Sequence, residues 1–142
     1  MLRTQRSTNT KPEVAVQRAL GALGLTYVLQ QRIDLPRWGG KHQHTTPDIT
    51  FPTARLVIFV DGCQWHGCSD HFVDYKTNTA LWREKSARAR ARDQRHNRAL
   101  ESLGYRVLRI RECEDPEQGA QVAFEILGMN PPPGTFQIGN NY

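Results

Sequence analysis

The 142-residue sequence lacks the features that mark membrane, secreted and repeat proteins. Its apolar runs are all far shorter than the roughly 20 residues needed to cross a bilayer, and the first residues, MLRTQRSTNTKPE, have no apolar core of a secretory signal. We therefore expect a cytoplasmic protein, in a compartment where disulfides are rare. The three cysteines, an odd number, favour metal ligands, catalytic thiols or buried side chains over a disulfide framework.

Internal repeats and linkers are also missing, and the length suits one compact domain. We expect a single domain over residues 1–142, with a flexible basic arm at 1–9 and an irregular tail at 128–142. The net charge is +5, from 19 Lys and Arg against 14 Asp and Glu. Residues 83–98, REKSARARARDQRHNR, carry a local excess as large as that of the whole chain. This concentration of charge favours a polyanionic partner.

The order of helix and strand signals predicts an α/β fold. A first helix is expected to begin at Thr10-Lys11-Pro12-Glu13, because Thr caps helices, Pro is tolerated in the first turn and Glu completes a capping box. The nearly continuous apolar run RLVIFV predicts a central strand covered on both faces. The predicted helices cover 10–23, 79–103 and 115–127, the strands cover 25–30, 47–51, 55–60 and 105–111, and a loop covers 36–46. This order predicts a three-layer α/β/α sandwich with a central mixed sheet.

Two aspartates and a histidine lie where these strands end. Asp48 begins one predicted strand and Asp61 ends the next, so in a hairpin their carboxylates could share a divalent ion with a substrate phosphate. His66 follows closely and titrates near neutrality, so it can accept a proton from an attacking water. The alternative is that Asp48 caps a turn, Asp61 merely ends a strand and His66 is a packed or surface residue.

The stretch FVDGCQWHGCSDH, residues 59–71, contains soft and borderline metal ligands. Cys63, Cys68 and His71, together with Cys113, form a set that suits a closed tetrahedral zinc site. Such a site would hold a polar, glycine-rich loop in place without taking part in chemistry. It requires the strand at 105–111 to lie beside the loop. The alternative is that the thiols are buried or idle and the histidine is on the surface.

The basic run at 83–98 falls on the predicted long helix. Helical spacing puts Lys85, Arg88, Arg92 and Arg95 along one face and Arg83, Arg90 and Arg98 away from it. Arginines on one face can bind DNA phosphates through charge and paired hydrogen bonds. A solvated helix face is the alternative.

Five segments in a fixed order carry a family resemblance: NTKPE, PDITF, FVDGCQWHGC, KTN-x₃-WREK and GYRVLRIRECED. Over about residues 8–118 the chain resembles the very short patch repair (Vsr) endonucleases, small nicking enzymes of the restriction-endonuclease-like fold that act at T·G mismatches. The resemblance implies a Mg²⁺-dependent, zinc-stapled endonuclease that nicks duplex DNA at or near T·G mismatches. His-assisted attack of a metal-activated water on the phosphodiester is the implied reaction.

The resemblance also implies roles for particular residues. Asp48 and the backbone carbonyl of Val60 would bind Mg²⁺, His66 would activate water, and Asp61 and Glu13 would assist. Nucleases of this fold carry PD…(D/E)xK, whereas this chain has Pro47-Asp48…Asp61-Gly62-Cys63, with Cys in place of Lys as in the Vsr type. Since His66 is then reserved for chemistry, His71 is assigned to the zinc.

DNA contacts are implied on the same grounds. Trp65 and Trp82 correspond to aromatics that wedge into the base stack beside the mismatch, and Gln64 stands where the family usually has Phe. The predicted DNA-binding residues are Trp65, Gln64, Trp82, Lys76, Lys85, Arg88, Arg92 and Arg95. The loop from Leu35 to Pro47 is longer than is usual in the family.

Several alternatives remain open from the sequence. The chain could nick DNA without a mismatch, as part of a methylation or defence system. It could also be a zinc-stapled DNA-binding module without cleavage, or a basic α/β protein that binds no nucleic acid. For the enzyme we expect a monomer acting on double-stranded DNA, with possible functional pairing to a DNA cytosine methyltransferase.

Overall fold

The computed structural model describes residues 11–62 and 79–138, which form three helices and seven strands. The helices are α1 (Lys11–Ala22), α2 (Thr79–Ser102) and α3 (Pro116–Met129). The strands are β1 (Val28–Leu29), β2 (Ile33–Trp38), β3 (Lys41–Thr45), β4 (Ile49–Phe51), β5 (Leu56–Asp61), β6 (Arg106–Arg111) and β7 (Gly134–Ile138). In these two ranges no helix combines the length and apolarity needed to cross a membrane.

Five strands form a mixed sheet in the order β1-β4-β5-β6-β7. The first three pair antiparallel, and β5, β6 and β7 pair parallel. In the register of β5 and β6, Asp61 lies beside Arg111, so both strands end at the same edge of the sheet. The two antiparallel strands β2 and β3 form a separate hairpin.

The central strand β5 is covered on both faces, as the run RLVIFV predicts. Leu56 and Ile58 pack with α1 and α3, whereas Val57 packs with α2 and β2 on the other side. All three side chains are fully buried, and burying such a side chain typically contributes about 1.5–3 kcal/mol. The described residues therefore form the three layers that the element order predicts.

The helix boundaries follow local chemistry. At the start of α3, Asp115 caps the helix by accepting a 3.0 Å hydrogen bond from the Glu117 N–H, and Pro116 occupies the first turn. At its end, Asn130 adopts the left-handed conformation with φ +51° and donates its N–H to the Ile126 carbonyl. The three predicted helices are confirmed, with ends within about two residues of those expected.

The expectation of a loop at 36–46 is wrong, because these residues belong to the hairpin of β2 and β3. Gly39 and Gly40 connect the strands, and their positive φ angles of +58° and +78° are those that a tight two-residue hairpin turn requires. Ile33 and Leu35 anchor the hairpin by packing on Val57 and on α2. The polar sequence of β3, KHQHT, concealed the strand.

The expectation of an irregular tail is wrong for residues 134–138, which form β7 beside β6. The prolines at 131–133 cannot donate backbone hydrogen bonds, so they suit the connection that precedes the strand. Phe136 and Ile138 then pack into the core with α1 and α3. As a result β6 is an inner strand, with both of its faces buried.

Candidate active site

The Asp48 carboxylate lies where β4 begins and β5 ends. The two strands pair antiparallel, with Ile49 opposite Ile58, as the hairpin interpretation of the sequence predicted. Asp48 Oδ2 accepts a 2.7 Å hydrogen bond from the backbone N–H of Val60. The two strand ends are thereby joined through one carboxylate, and the Val60 peptide lies next to it.

Glu13 brings a second carboxyl group to Asp48 from the first turn of α1. It is only 3% exposed and is hydrogen-bonded to Asp48. Burial, the charge of Glu13 and this hydrogen bond, with a smaller contribution from Asp61, raise the pKa of Asp48 to about 7. The N–H of Val60 acts in the opposite direction. A carboxyl group with such a pKa is partly protonated near neutrality, and a nearby cation would favour its ionised form.

This arrangement fits the expected active-site role of Glu13. The capping box proposed for Glu13 involves Thr10, which lies outside the described residues. Closely spaced carboxyl groups with a strongly shifted pKa occur preferentially at functional sites. The pair formed by Asp48 and Glu13, here called the acid pair, is accordingly the candidate catalytic centre.

Asp61, at the end of β5, has a very different partner. Its Oδ1 accepts a 3.0 Å hydrogen bond from Nη1 of Arg109, and these side chains are 8% and 3% exposed. The Arg109 Nε donates to Oδ1 of Asn97 at 2.9 Å, its guanidinium lies 4.1 Å from the centre of the Phe59 ring, and Asp93 Oδ2 is 3.7 Å away. This buried arginine network ties the end of β5 to helix α2.

Sequence reasoning missed Arg109, because arginine side chains are mostly exposed and nothing in YRVLRIR marks this one as buried. In the fold, Arg106, Arg109 and Arg111 are all at most 7% exposed. A signal was present, since an arginine in a strand between two covering helices needs an acidic partner. The role of Asp61 in catalysis stays a prediction, and its orientation is set by Arg109.

The basic face of α2 is largely accessible. Lys85, Arg88 and Arg92 are exposed, and the latter two pair with Glu84 at 2.5 Å and Asp93 at 3.5 Å. Such surface pairs are weak, so phosphate can replace the carboxylate at modest cost. Arg95 is half-buried, because its guanidinium lies over the Trp38 ring, 5.0 Å from the ring centre, and its Nε donates to Gln43.

Much of the predicted site lies outside the described residues. These predicted residues are Cys63, Gln64, Trp65, His66, Cys68, His71 and Lys76, together with the side chain of Trp82. Cys113 is exposed in the turn after β6, where the N–H of Glu112 donates to the Asp61 carbonyl at 2.9 Å. Within 11–62 and 79–138, no group of three or more His, Cys, Asp and Glu side chains is arranged to hold a metal ion.

The chain thus combines a carboxyl pair at the ends of two central strands with an exposed basic helix, and both features suit an enzyme that cleaves DNA. Residues 1–72 match the sequence model of the family described as DNA mismatch endonuclease Vsr. The chain is 40% identical over 121 residues to the type II nicking enzyme V.XorIIP of Xanthomonas oryzae pv. oryzae, covering 84% of this chain and 82% of that protein.

Two further relatives are also named as a nicking enzyme and a mismatch endonuclease. The type II nicking enzyme V.NaeI of Lentzea aerocolonigenes is 35% identical over 126 residues, 89% of this chain and 74% of its own length. The DNA mismatch endonuclease Vsr of Escherichia coli is 40% identical over 70 residues, 47% of this chain and 44% of its own. The chain therefore belongs to the Vsr family and is a DNA endonuclease. The alternatives without cleavage are set aside.

Proposed function

We propose that this endonuclease uses Mg²⁺ to nick duplex DNA at or near T·G mismatches. The observation that carries the proposal is the acid pair at the end of β5, where the pKa of Asp48 is raised to about 7. A divalent cation between the two carboxylates would relieve their repulsion and favour the ionised form. Mg²⁺ is commonly bound by one or two carboxylates plus water and phosphate oxygens, so two acids are a sufficient protein contribution.

In this proposal Asp48 and the carbonyl of Val60 would hold the ion, and Glu13 would assist them. When bound, Mg²⁺ supplies positive charge to the scissile phosphate. His66 takes a proton from the attacking water, as a neutral imidazole can near pH 7. Asp61, fixed by Arg109, presents its carboxylate edge beside the acid pair and orients the phosphate or water.

We also propose a structural zinc ion bound by Cys63, Cys68, His71 and Cys113. The hydrogen bond from the Glu112 N–H to the Asp61 carbonyl supports this, because it holds the turn with Cys113 next to the strand end that leads to Cys63. Three thiolates and one imidazole suit tetrahedral Zn²⁺. The ion would fix residues 63–71, and with them His66, relative to the acid pair.

DNA would approach along α2. Lys85, Arg88, Arg92 and Arg95, with Lys76, would contact phosphates, whereas Trp65 and Trp82 would wedge beside the mismatch and Gln64 would hydrogen-bond a base edge or phosphate. We further propose a cytoplasmic monomer that works on double-stranded DNA, in functional pairing with a DNA cytosine methyltransferase.

A second candidate is nicking that needs no mismatch. The well-covered relatives are named type II nicking enzymes rather than mismatch enzymes. In addition, the β2–β3 hairpin directly precedes Asp48 and gives this chain a surface that can change specificity. In this case the protein would serve a methylation or defence system.

The two candidates are separated by nicking assays with end-labelled duplexes. The substrates are a T·G duplex, its fully paired counterpart and a methylated duplex, each with Mg²⁺ and with EDTA. We expect Mg²⁺-dependent nicking of the T·G duplex that is lost in Asp48→Ala and His66→Ala. Equal nicking of the paired or methylated duplex would establish the second candidate instead.

A further inference from the structure

A groove between the β2–β3 hairpin and the C-terminal half of α2 is not used by the proposed chemistry. It has a volume of about 470 Å³ and is lined on the hairpin side by Pro36, Arg37, Trp38 and Gln43, and on the helix side by Arg95 and Arg98 among others. Pockets of this size accommodate ligand-sized groups. The groove therefore has room for a short stretch of an extended polymer.

The lining combines positive charge with an exposed aromatic ring. Arg37, Arg95 and Arg98 contribute three cations, and none of the lining residues within 11–62 and 79–138 is acidic. Trp38 remains 59% exposed although Arg95 covers one part of its ring. Burial lowers the pKa of the neighbouring His96, and the charges of Arg95 and Arg92 add to this effect.

Hydrogen bonds hold this surface in shape before any partner binds. Gln43 Nε2 donates to the Pro36 carbonyl at 2.8 Å, and Gln43 Oε1 accepts from Arg95 Nε at 3.3 Å. Arg37 Nη1 donates to the Gly40 carbonyl at 2.9 Å and fixes the hairpin turn. A fixed cationic surface loses less side-chain entropy on binding than a flexible one.

The groove also adjoins the basic face of α2, and Arg98, which helical spacing placed away from that face, lines the groove together with Arg95. From Lys85 to Arg98 the helix advances about 20 Å, which is roughly six base steps of a DNA strand. Arg88, Arg92 and Arg95 recur at helical spacing and lead into the groove. Together the helix and the hairpin form one extended cationic track.

We propose that this groove binds the sugar–phosphate backbone of duplex DNA outside the cleavage site, with Arg98 and Arg95 on phosphates and the Trp38 ring against deoxyribose. The inference rests on the proposed DNA-cleaving function, and it adds a contact supplied by the hairpin.

The test measures binding of the full chain to a long, fully paired duplex in EDTA over a range of salt concentrations. Each phosphate contact contributes about 0.9 to the slope of log affinity against log salt. We expect Arg98→Ala to lower the slope by about that amount and Arg98→Lys to restore it. Trp38→Ala should weaken binding with the slope unchanged, because its contact is not ionic.

Arg18→Ala is the matched control, because Arg18 is an exposed arginine on α1, on the opposite face of the sheet. It should bind as the wild type does. If the slope of log affinity against log salt were the same for Arg98→Ala and Arg18→Ala, the proposal would be overturned. An acidic protein segment would then be the partner that fits these charges. Failure of the proposed function would show separately, as loss of nicking or of mismatch preference with the salt slopes unaffected.

Discussion

Asp48 and Asp61 lie at adjacent strand ends, yet their surroundings are opposite. Asp48 meets a second carboxyl group, Glu13, and its pKa is raised to about 7. Asp61 meets the buried guanidinium of Arg109, which is in turn held by Asn97 and packed on Phe59. Asp48 therefore faces a group of the same charge, whereas the charge of Asp61 is balanced by a buried arginine.

The two environments indicate different roles for the two carboxylates. A buried carboxylate beside another carboxylate destabilises the ionised fold and is retained where a cation or a reaction needs it. When a buried carboxylate lies beside a hydrogen-bonded arginine, the arginine balances its charge. Removing the arginine takes that compensation away. This contrast supports the proposal that the acid pair is the metal site, and it indicates that the Asp61–Arg109 pair positions α2 against β5 while it holds the Asp61 carboxylate in place.

The largest expected effect is the loss of nicking activity in the variant Asp48→Asn. The amide keeps the size of the side chain but removes the negative charge that we propose binds Mg²⁺, so nicking should fall at least about 1000-fold. Single-turnover nicking with saturating enzyme measures this. Asp34→Asn is the control, because that side chain is 81% exposed on the hairpin, and it should retain full activity.

The next effect is on stability when Arg109 is replaced. Arg109→Met removes the guanidinium that donates to the buried Asp61 carboxylate, so the free energy of unfolding should fall by about 3–5 kcal/mol. Urea unfolding measures the loss. Replacing Asp61 by Asn in the same chain should recover part of it, because the buried negative charge that Arg109 compensated is then gone. If Arg109→Met cost no more than the surface change Arg18→Met, the network would have no structural role.

A third effect is the pH dependence of stability without metal. The folded pKa of Asp48, about 7, exceeds its ordinary value of 3.8, so the folded state binds this proton more tightly than the unfolded state. The proton on Asp48 therefore contributes to the free energy of unfolding at low pH, and this contribution is lost as the pH rises between these two values. In EDTA the wild type should lose about 1–4 kcal/mol relative to Asp48→Asn between pH 5 and pH 8. Parallel curves for the two proteins would contradict the raised pKa.

The smallest effect is expected from Glu13→Gln. Removing this charge should lower the pKa of Asp48 and shift the acidic limb of the nicking profile to lower pH, since the Glu13 charge raises that pKa. If Glu13 supports the metal site as proposed, the Mg²⁺ concentration needed for half-maximal nicking should rise by about 10–100-fold. A pH profile at several Mg²⁺ concentrations records both changes. Lower activity without a shift of the limb would indicate only a packing role for Glu13.

Sequence reasoning could predict what depends on neighbouring residues. The apolar run RLVIFV indicated the central strand, the capping signals indicated the helices, and the expected strand pairing placed Asp48 near the end of β5. Glu13 and Asp48 are 35 positions apart in the chain, and they were linked only by the family resemblance. The fold then brought them into contact through the packing of α1 on the sheet.

Features that depend on distant partners escaped prediction. Arg109 contacts residues of β5 and α2, and only the packing of the helix on the sheet brings them together. The strand β3 has the polar sequence KHQHT, so its pairing follows from the Gly39-Gly40 turn and the anchoring of β2. The strand β7 is short and follows three prolines, and its stability comes from pairing with β6.

The most direct test of the central claim is thermal unfolding at pH 8, in EDTA and in excess Mg²⁺, for the wild type and Asp48→Asn. A ligand that binds only the folded state at about 100 times its Kd stabilises by about 2.7 kcal/mol. The account predicts that Mg²⁺ raises the Tm of the wild type and leaves that of Asp48→Asn unchanged. An equal rise in both proteins would show that the acid pair is not the magnesium site.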